Sequence, residues 1–69
     1  MQNILRINQV IVRTGLSRSV LYGLVKEGKF PQPLRLAKRS SGWLESEINE
    51  WINDRVAERD ADKAIERSI

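Results

Sequence analysis

"RTGLSRSVLYGLVKEGKFPQP", residues 13–33, decides how this chain folds. Gly15 and Ser17 stand between two short apolar patterns, and Gly28, Phe30, Pro31 and Pro33 close the second. Glycine suits the left-handed position that ends a helix, and a serine side chain accepts one of the orphan amides that open the next. One helix is therefore predicted to stop at Gly15 and another to start at Ser17. A joint of about three residues is the spacing of a helix-turn-helix, although two helices of a plain bundle can use a similar loop.

The second helix is predicted over 17–27, with Ser17 as cap and Gly28 as terminator. Val20, Leu21, Leu24 and Val25 recur at helical spacing and make one apolar stripe. Arg18, Ser19, Tyr22 and Lys26 share an arc of roughly 100° at 3.6 residues per turn. Gly23 borders that arc. An interior glycine costs up to about 1 kcal/mol relative to alanine, so either something approaches the backbone there or the residue is simply tolerated.

Upstream, Ile7, Val10, Ile11 and Thr14 mark a first helix over about 8–14, with Asn8 as its expected cap. Downstream, Pro31 and Pro33 hold Phe30 and Gln32 extended, and Phe30 is expected in the core. Leu34 and Leu36 alternate with Arg35, and Trp43 and Leu44 resume after "AKRSSG". This reads as a β-hairpin between about 34 and 44, with Leu34 and Leu36 facing the core and Arg35 facing solvent; an irregular loop is the other reading. A lone hairpin is marginal in water, so it must pack on the helices. Ile48, Trp51, Ile52 and Val56 mark a third helix over about 46–59, opened by Ser46 or Glu45. Glu45, Glu47 and Glu50 favour its N-terminus through the helix dipole. The expected core is Leu21, Leu24, Trp43, Ile48, Trp51 and Ile52. The charged tail 59–69, where Arg59, Lys63 and Arg67 repeat four residues apart, either extends this helix or frays.

The bulk composition narrows the function classes. A chain of 69 residues is one domain at most. There is no cysteine and no histidine, which removes thiolate and imidazole chemistry, disulfides and the commonest metal ligands. No apolar run is long enough to span a bilayer, and no signal peptide is visible, so the expected place is the cytoplasm, in association with the nucleoid. The acids lie mostly on solvated helix faces, the serines have no imidazole activator, and no glycine-rich phosphate loop is present. The reading is a non-enzymatic domain without cofactor or metal. The net charge of +3 divides unevenly: residues 1–42 carry +7 and residues 43–69 carry −4. A basic front half suits a polyanion.

On that reading the polar arc is a recognition surface. Arg18 can grip guanine bidentately, Ser19 can bond a base edge or phosphate, and Tyr22 offers a ring to thymine methyls or a hydroxyl to phosphate. Lys26 is better placed for the backbone, and Ser17 serves as cap and phosphate neighbour. Arg35, Lys38, Arg39 and Ser40, in the hairpin, are the expected wing contacts. Trp43 and Trp51 are assigned to the core.

The order of these parts resembles the AlpA family of phage and prophage regulators, within the wider group of MerR-like and excisionase-like winged-helix domains. The resemblance rests on "TGLSRSVLYGLVKEGKFPQPLRL" followed by "GWLESEINEWINDRVAERD" and covers about residues 4–60. It implies a mainly α fold with a small β-hairpin, a winged helix-turn-helix over 1–58, and transcriptional regulation of mobile-element genes through sequence-specific binding of double-stranded DNA. One departure concerns the wing: where the family usually has glycine after the first strand, this chain has Ala37, so the turn is expected to differ in shape. An excisionase that bends attachment-site DNA needs the same groove-reading unit, and a protein-interaction module built on Tyr22, Phe30 and the acidic third helix is a reading of another class. A homodimer or cooperative array, RNA polymerase and a recombinase stay open as further partners.

Overall fold

The computed structural model describes the backbone of residues 3–68 and the side chains of residues 3–62. In chain order it contains β1 (Ile4–Leu5), α1 (Ile7–Thr14), α2 (Arg18–Lys26), β2 (Leu34–Ala37), β3 (Ser40–Leu44) and α3 (Glu45–Ser68). The strands form one antiparallel sheet in the order β1-β3-β2. This is a mainly helical winged helix-turn-helix, with β2 and β3 as the wing.

Helix α1 opens one residue earlier than the sequence pattern suggests, and Asn8 is not its cap. The Arg6 amide instead donates to Oε1 of Gln9 at 2.8 Å, which closes the first turn from inside the helix. The far end follows expectation. Gly15 takes φ 74° and donates its amide to the Ile11 carbonyl at 2.8 Å. The Thr14 hydroxyl donates to the Val10 carbonyl and accepts from the Leu16 amide, so the short turn is bonded on both sides. Ser17 then caps α2 by accepting from the Val20 amide at 3.2 Å.

The stripe of α2 is narrower than its sequence suggests. Leu21 is buried and Leu24 and Val25 pack partly against the core, but Val20 is 49% exposed. One residue turns a helix by roughly 100°, which carries Val20 past the edge of the face that Leu21 buries.

The exit from α2 is held by two tryptophans. Trp43 Nε1 donates to the Pro31 carbonyl at 2.7 Å, and Trp51 Nε1 donates to the Lys29 carbonyl at 2.9 Å. Phe30 sits between them, with ring centroids 6.4 Å from Trp43 and 4.9 Å from Trp51, both edge-on. Gln32 reaches back to the Val25 carbonyl at 2.9 Å. The prolines keep this segment extended, and the indoles satisfy the carbonyls that an extended backbone leaves without ladder partners.

Leu5, Val10, Leu21, Phe30, Trp43 and Ile48 are the buried core, and Ile7, Ile11, Leu16, Trp51 and Ile52 pack around it. Leu24, Trp51 and Ile52 were expected inside and lie at its rim; the Arg55 guanidinium covers the outer side of Trp51, 5.1 Å from the ring centroid.

The sheet corrects two expectations. Strand β1 has no counterpart in the sequence reading, because two residues are too few to show a period. Its Leu5 pairs with Trp43, and both are buried, which defines the inner face. Leu34 pairs with Gly42, the next residue along β3, and therefore lies on the outer face. Leu34 and Leu36 are 39% and 44% exposed, so neither faces the core. Between Arg35 and Ala37 the register shifts by one, leaving Leu36 as the extra residue of a bulge beside the Ala37 position. Leu36 and Ile4 close over Gly42: a Cβ there would come within 2.5 Å of Ile4 Cγ2, 3.0 Å of the Leu5 carbonyl oxygen and 3.3 Å of Leu36 Cδ1.

Helix α3 is described without a break to Ser68. The side chains of Lys63, Ile65, Glu66 and Arg67 lie outside the described residues. Glu45, at its start, joins three elements. Its carboxylate accepts from Arg13 at 2.8 Å and from Asn3 at 3.2 Å, while its amide donates to the Asn3 carbonyl. The ion pair is partly solvated and contributes at most about 1 kcal/mol. No described helix is long and apolar enough to cross a membrane.

Gly42→Ala is expected to destabilise the domain by about 1–3 kcal/mol, since the Leu5 backbone cannot give way as a side-chain tip can. Urea unfolding measures this. Adding Ile4→Ala should recover part of the loss, a coupling that a double-mutant cycle would detect.

Candidate nucleic-acid interface

Helix α2 carries the first group of expected contact residues. Ser17, Arg18, Ser19, Tyr22 and Lys26 are all exposed. Ser17 already uses its hydroxyl as the helix cap, which leaves that oxygen beside the amides of the first turn. Arg18 donates from Nη2 to the Asn8 side-chain oxygen of α1 at 3.0 Å. Asn8, expected as a cap, has a different part: it steadies the Arg18 side chain while engaging one of its five donors. A polar residue on the solvent side of α1 was the signal available in the sequence, but nothing there shows which side chain of α2 it meets.

Tyr22 leans toward the wing. Its ring lies 6.4 Å from that of Trp43, tilted at 49°, so the outer part of α2 touches the central strand β3. Tyr22 remains 44% exposed. Ser19 has no such tie and lies almost opposite Leu21 on the helix, and Lys26 occupies the last turn.

The second group gathers at the tip of the wing. Arg35, Lys38, Arg39 and Ser40 line a single shallow concavity of about 210 Å³ together with Ala37 and Ser41. Arg35, Lys38 and Arg39 are exposed and Ser40 is half-buried. Arg35 pairs with Ser41, whose neighbour Trp43 lies on the same face of β3, so Arg35 extends the inner face beyond the helices. The bulge at Leu36 shifts the register of Ala37 and the turn that follows it. A larger depression of about 500 Å³, between α1 and Glu45, is lined by none of these residues.

Charge separates the basic residues into two kinds. Arg13 is bonded to Glu45, Lys29 to Glu27, Arg55 to Glu58 and Arg59 to Asp60. Among the described residues, Arg6, before α1, and Arg18, Lys26, Arg35, Lys38 and Arg39, on α2 and the wing, have no carboxylate partner. Uncompensated cations on α2 and the wing tip give that side of the molecule a positive field, while α3 largely neutralises its own.

Comparison with known proteins matches this frame. Residues 3–56 match the family described as the prophage CP4-57 regulatory protein AlpA. The chain belongs to the AlpA family. The match runs from the residue before β1 to Val56 of α3, and so covers every expected contact residue. An uncharacterised protein, ORF88, of enterobacteria phage P4 is 38% identical over 58 residues, covering 84% of this chain and 66% of the phage protein. The DNA-binding transcriptional activator AlpA of Escherichia coli K12 is 36% identical over 58 residues, covering 75% of this chain and 83% of that protein. The chain thus spans slightly under two thirds of the phage relative's length. No solved structure matches it.

Ser17→Ala removes the cap that sets the start of α2. It should cost about 1 kcal/mol of stability, read as a lowered midpoint in thermal denaturation followed by circular dichroism.

Proposed function

We propose that this AlpA-family chain binds double-stranded DNA in a sequence-specific way and regulates transcription of genes carried by a phage, prophage or other mobile element. The observation that carries the reading is the set of unpaired cations on α2 and the wing of a winged helix-turn-helix. Similarity to an E. coli protein named as a DNA-binding transcriptional activator supports it.

On this reading α2 enters the major groove with its N-terminal half leading, as the second helix of such a unit does. Arg18 supplies the guanine contact. Its bond to Asn8 holds the side chain in place before binding, so less rotamer freedom is lost on contact. Ser19 and Tyr22 read or flank neighbouring bases. Ser17, at the amide-rich end of the helix, and Lys26, in its last turn, hold phosphates. Arg35, Lys38, Arg39 and Ser40 bring the wing tip onto the sugar–phosphate backbone beside the groove.

Binding to duplexes tiling the DNA upstream of the chain's own gene tests the proposal. Affinity should fall steeply with salt, because each phosphate contact releases a counterion. A salt-insensitive interaction would favour a protein partner instead. Arg18→Ala should weaken specific binding about tenfold or more, with a smaller loss on random duplex, and Arg18→Lys should not restore it. Equal losses on both duplexes would make Arg18 a phosphate anchor.

Lys38→Ala and Arg39→Ala should each weaken binding to all sequences alike and flatten the salt slope. Fluorescence anisotropy titrations at several salt concentrations measure both effects. Unchanged affinity in both variants would remove the wing from the interface.

A further inference from the structure

The four glycines of the chain do not all have a reason within the molecule. Gly15 and Gly28 adopt positive φ, which side chains rarely do. Gly42 has no room for a Cβ, with Ile4 and the Leu5 carbonyl against it. Gly23 has neither constraint. It sits within α2 with ordinary helical geometry, and a Cβ added there would meet nothing within 4 Å. Alanine would fit and would favour the helix, since glycine is among the poorest residues for a helix interior. The fold therefore loses stability by having glycine at this position and gains no packing or turn from it.

Gly23 also lies on the face that matters. It is four residues from Ser19 and three from Lys26, next to them on the exposed side of the helix and away from Leu21. The exposed Val20 lies three residues away on the other side.

We infer that Gly23 is the point of closest approach between α2 and the DNA duplex, where the wall of the major groove lies against bare helix backbone. The inference rests on the DNA-binding reading above and adds a residue to it. Without a Cβ at this position the helix axis can sit deeper, which brings the short Ser19 side chain within reach of base edges. A longer residue, such as Tyr22 or Lys26, can reach without that depth. Ser19 cannot.

Gly23→Ala tests this, because the fold and the interface should respond in opposite directions. The melting temperature should rise by about 4–8 °C, the shift that a helix-propensity gain of this kind gives in so small a domain. Affinity for the upstream duplexes that the wild-type chain binds should fall tenfold or more, measured by anisotropy at one fixed salt concentration. Gly23→Val should weaken binding further. Two results would overturn the inference. Unchanged or tighter binding by Gly23→Ala would make the glycine an accident of tolerance, and a lowered melting temperature would give it a role in the fold. The wild-type titration is a separate reading: if the unmodified chain binds no duplex at low salt, the DNA-binding proposal itself fails, and this inference fails with it.

Discussion

Two indole N–H groups hold this domain together. Trp43 and Trp51 each donate to a carbonyl on either side of Phe30, and the Phe30 ring fills the space between them. This clamp fixes the segment that leaves α2. It ties the end of the helix-turn-helix to β3 through Trp43 and to α3 through Trp51. A domain of this size has few buried residues to draw on, so bonds that satisfy backbone carbonyls while burying aromatic area contribute a large share of its cohesion. The prolines on the segment are the complement of the clamp: they prevent α2 from continuing, so the Lys29 and Pro31 carbonyls are left for the indoles.

The remaining elements are arranged around that fixed point. Trp43 is also the centre of the sheet, paired through Leu5 to β1. Glu45, two residues on, begins α3 and gathers Asn3 and Arg13. Tyr22 rests beside Trp43 from the outer part of α2. The placement of α2 relative to the wing is therefore set by one buried side chain that belongs to neither candidate contact group.

Much of this was legible in the residues. Gly15, Ser17 and Gly28 mark helix ends by chemistry that depends only on local backbone geometry, and they hold. The stripe of α3 gave Ile48 a place in the core, and Phe30 was expected there too. The fold departs from the local pattern where it depends on a partner far along the chain. Leu34 and Leu36 alternate correctly for a strand, but which face they take is set by pairing with Gly42, and alternation within one strand carries no information about that register. Val20 looked like core because it adjoins Leu21, yet the buried face of α2 is narrower than a run of apolar letters suggests. Asn8 looked like a cap because caps are local, whereas its observed partner, Arg18, lies on the next helix. That the expected contact residues of α2 are exposed follows from their polar pattern; the grouping of Arg35, Lys38, Arg39 and Ser40 around one concavity depends on the folded wing.

The contact between Tyr22 and Trp43 has an optical consequence. The chain has a single tyrosine, and its ring lies 6.4 Å from a fully buried indole. Light absorbed by the phenol is expected to pass to that indole by resonance transfer, and tyrosine emission is expected to return only when α2 moves well away from both tryptophans, as on unfolding. The molecule thus carries, without any label, an optical reporter of whether its second helix and its wing stay folded together.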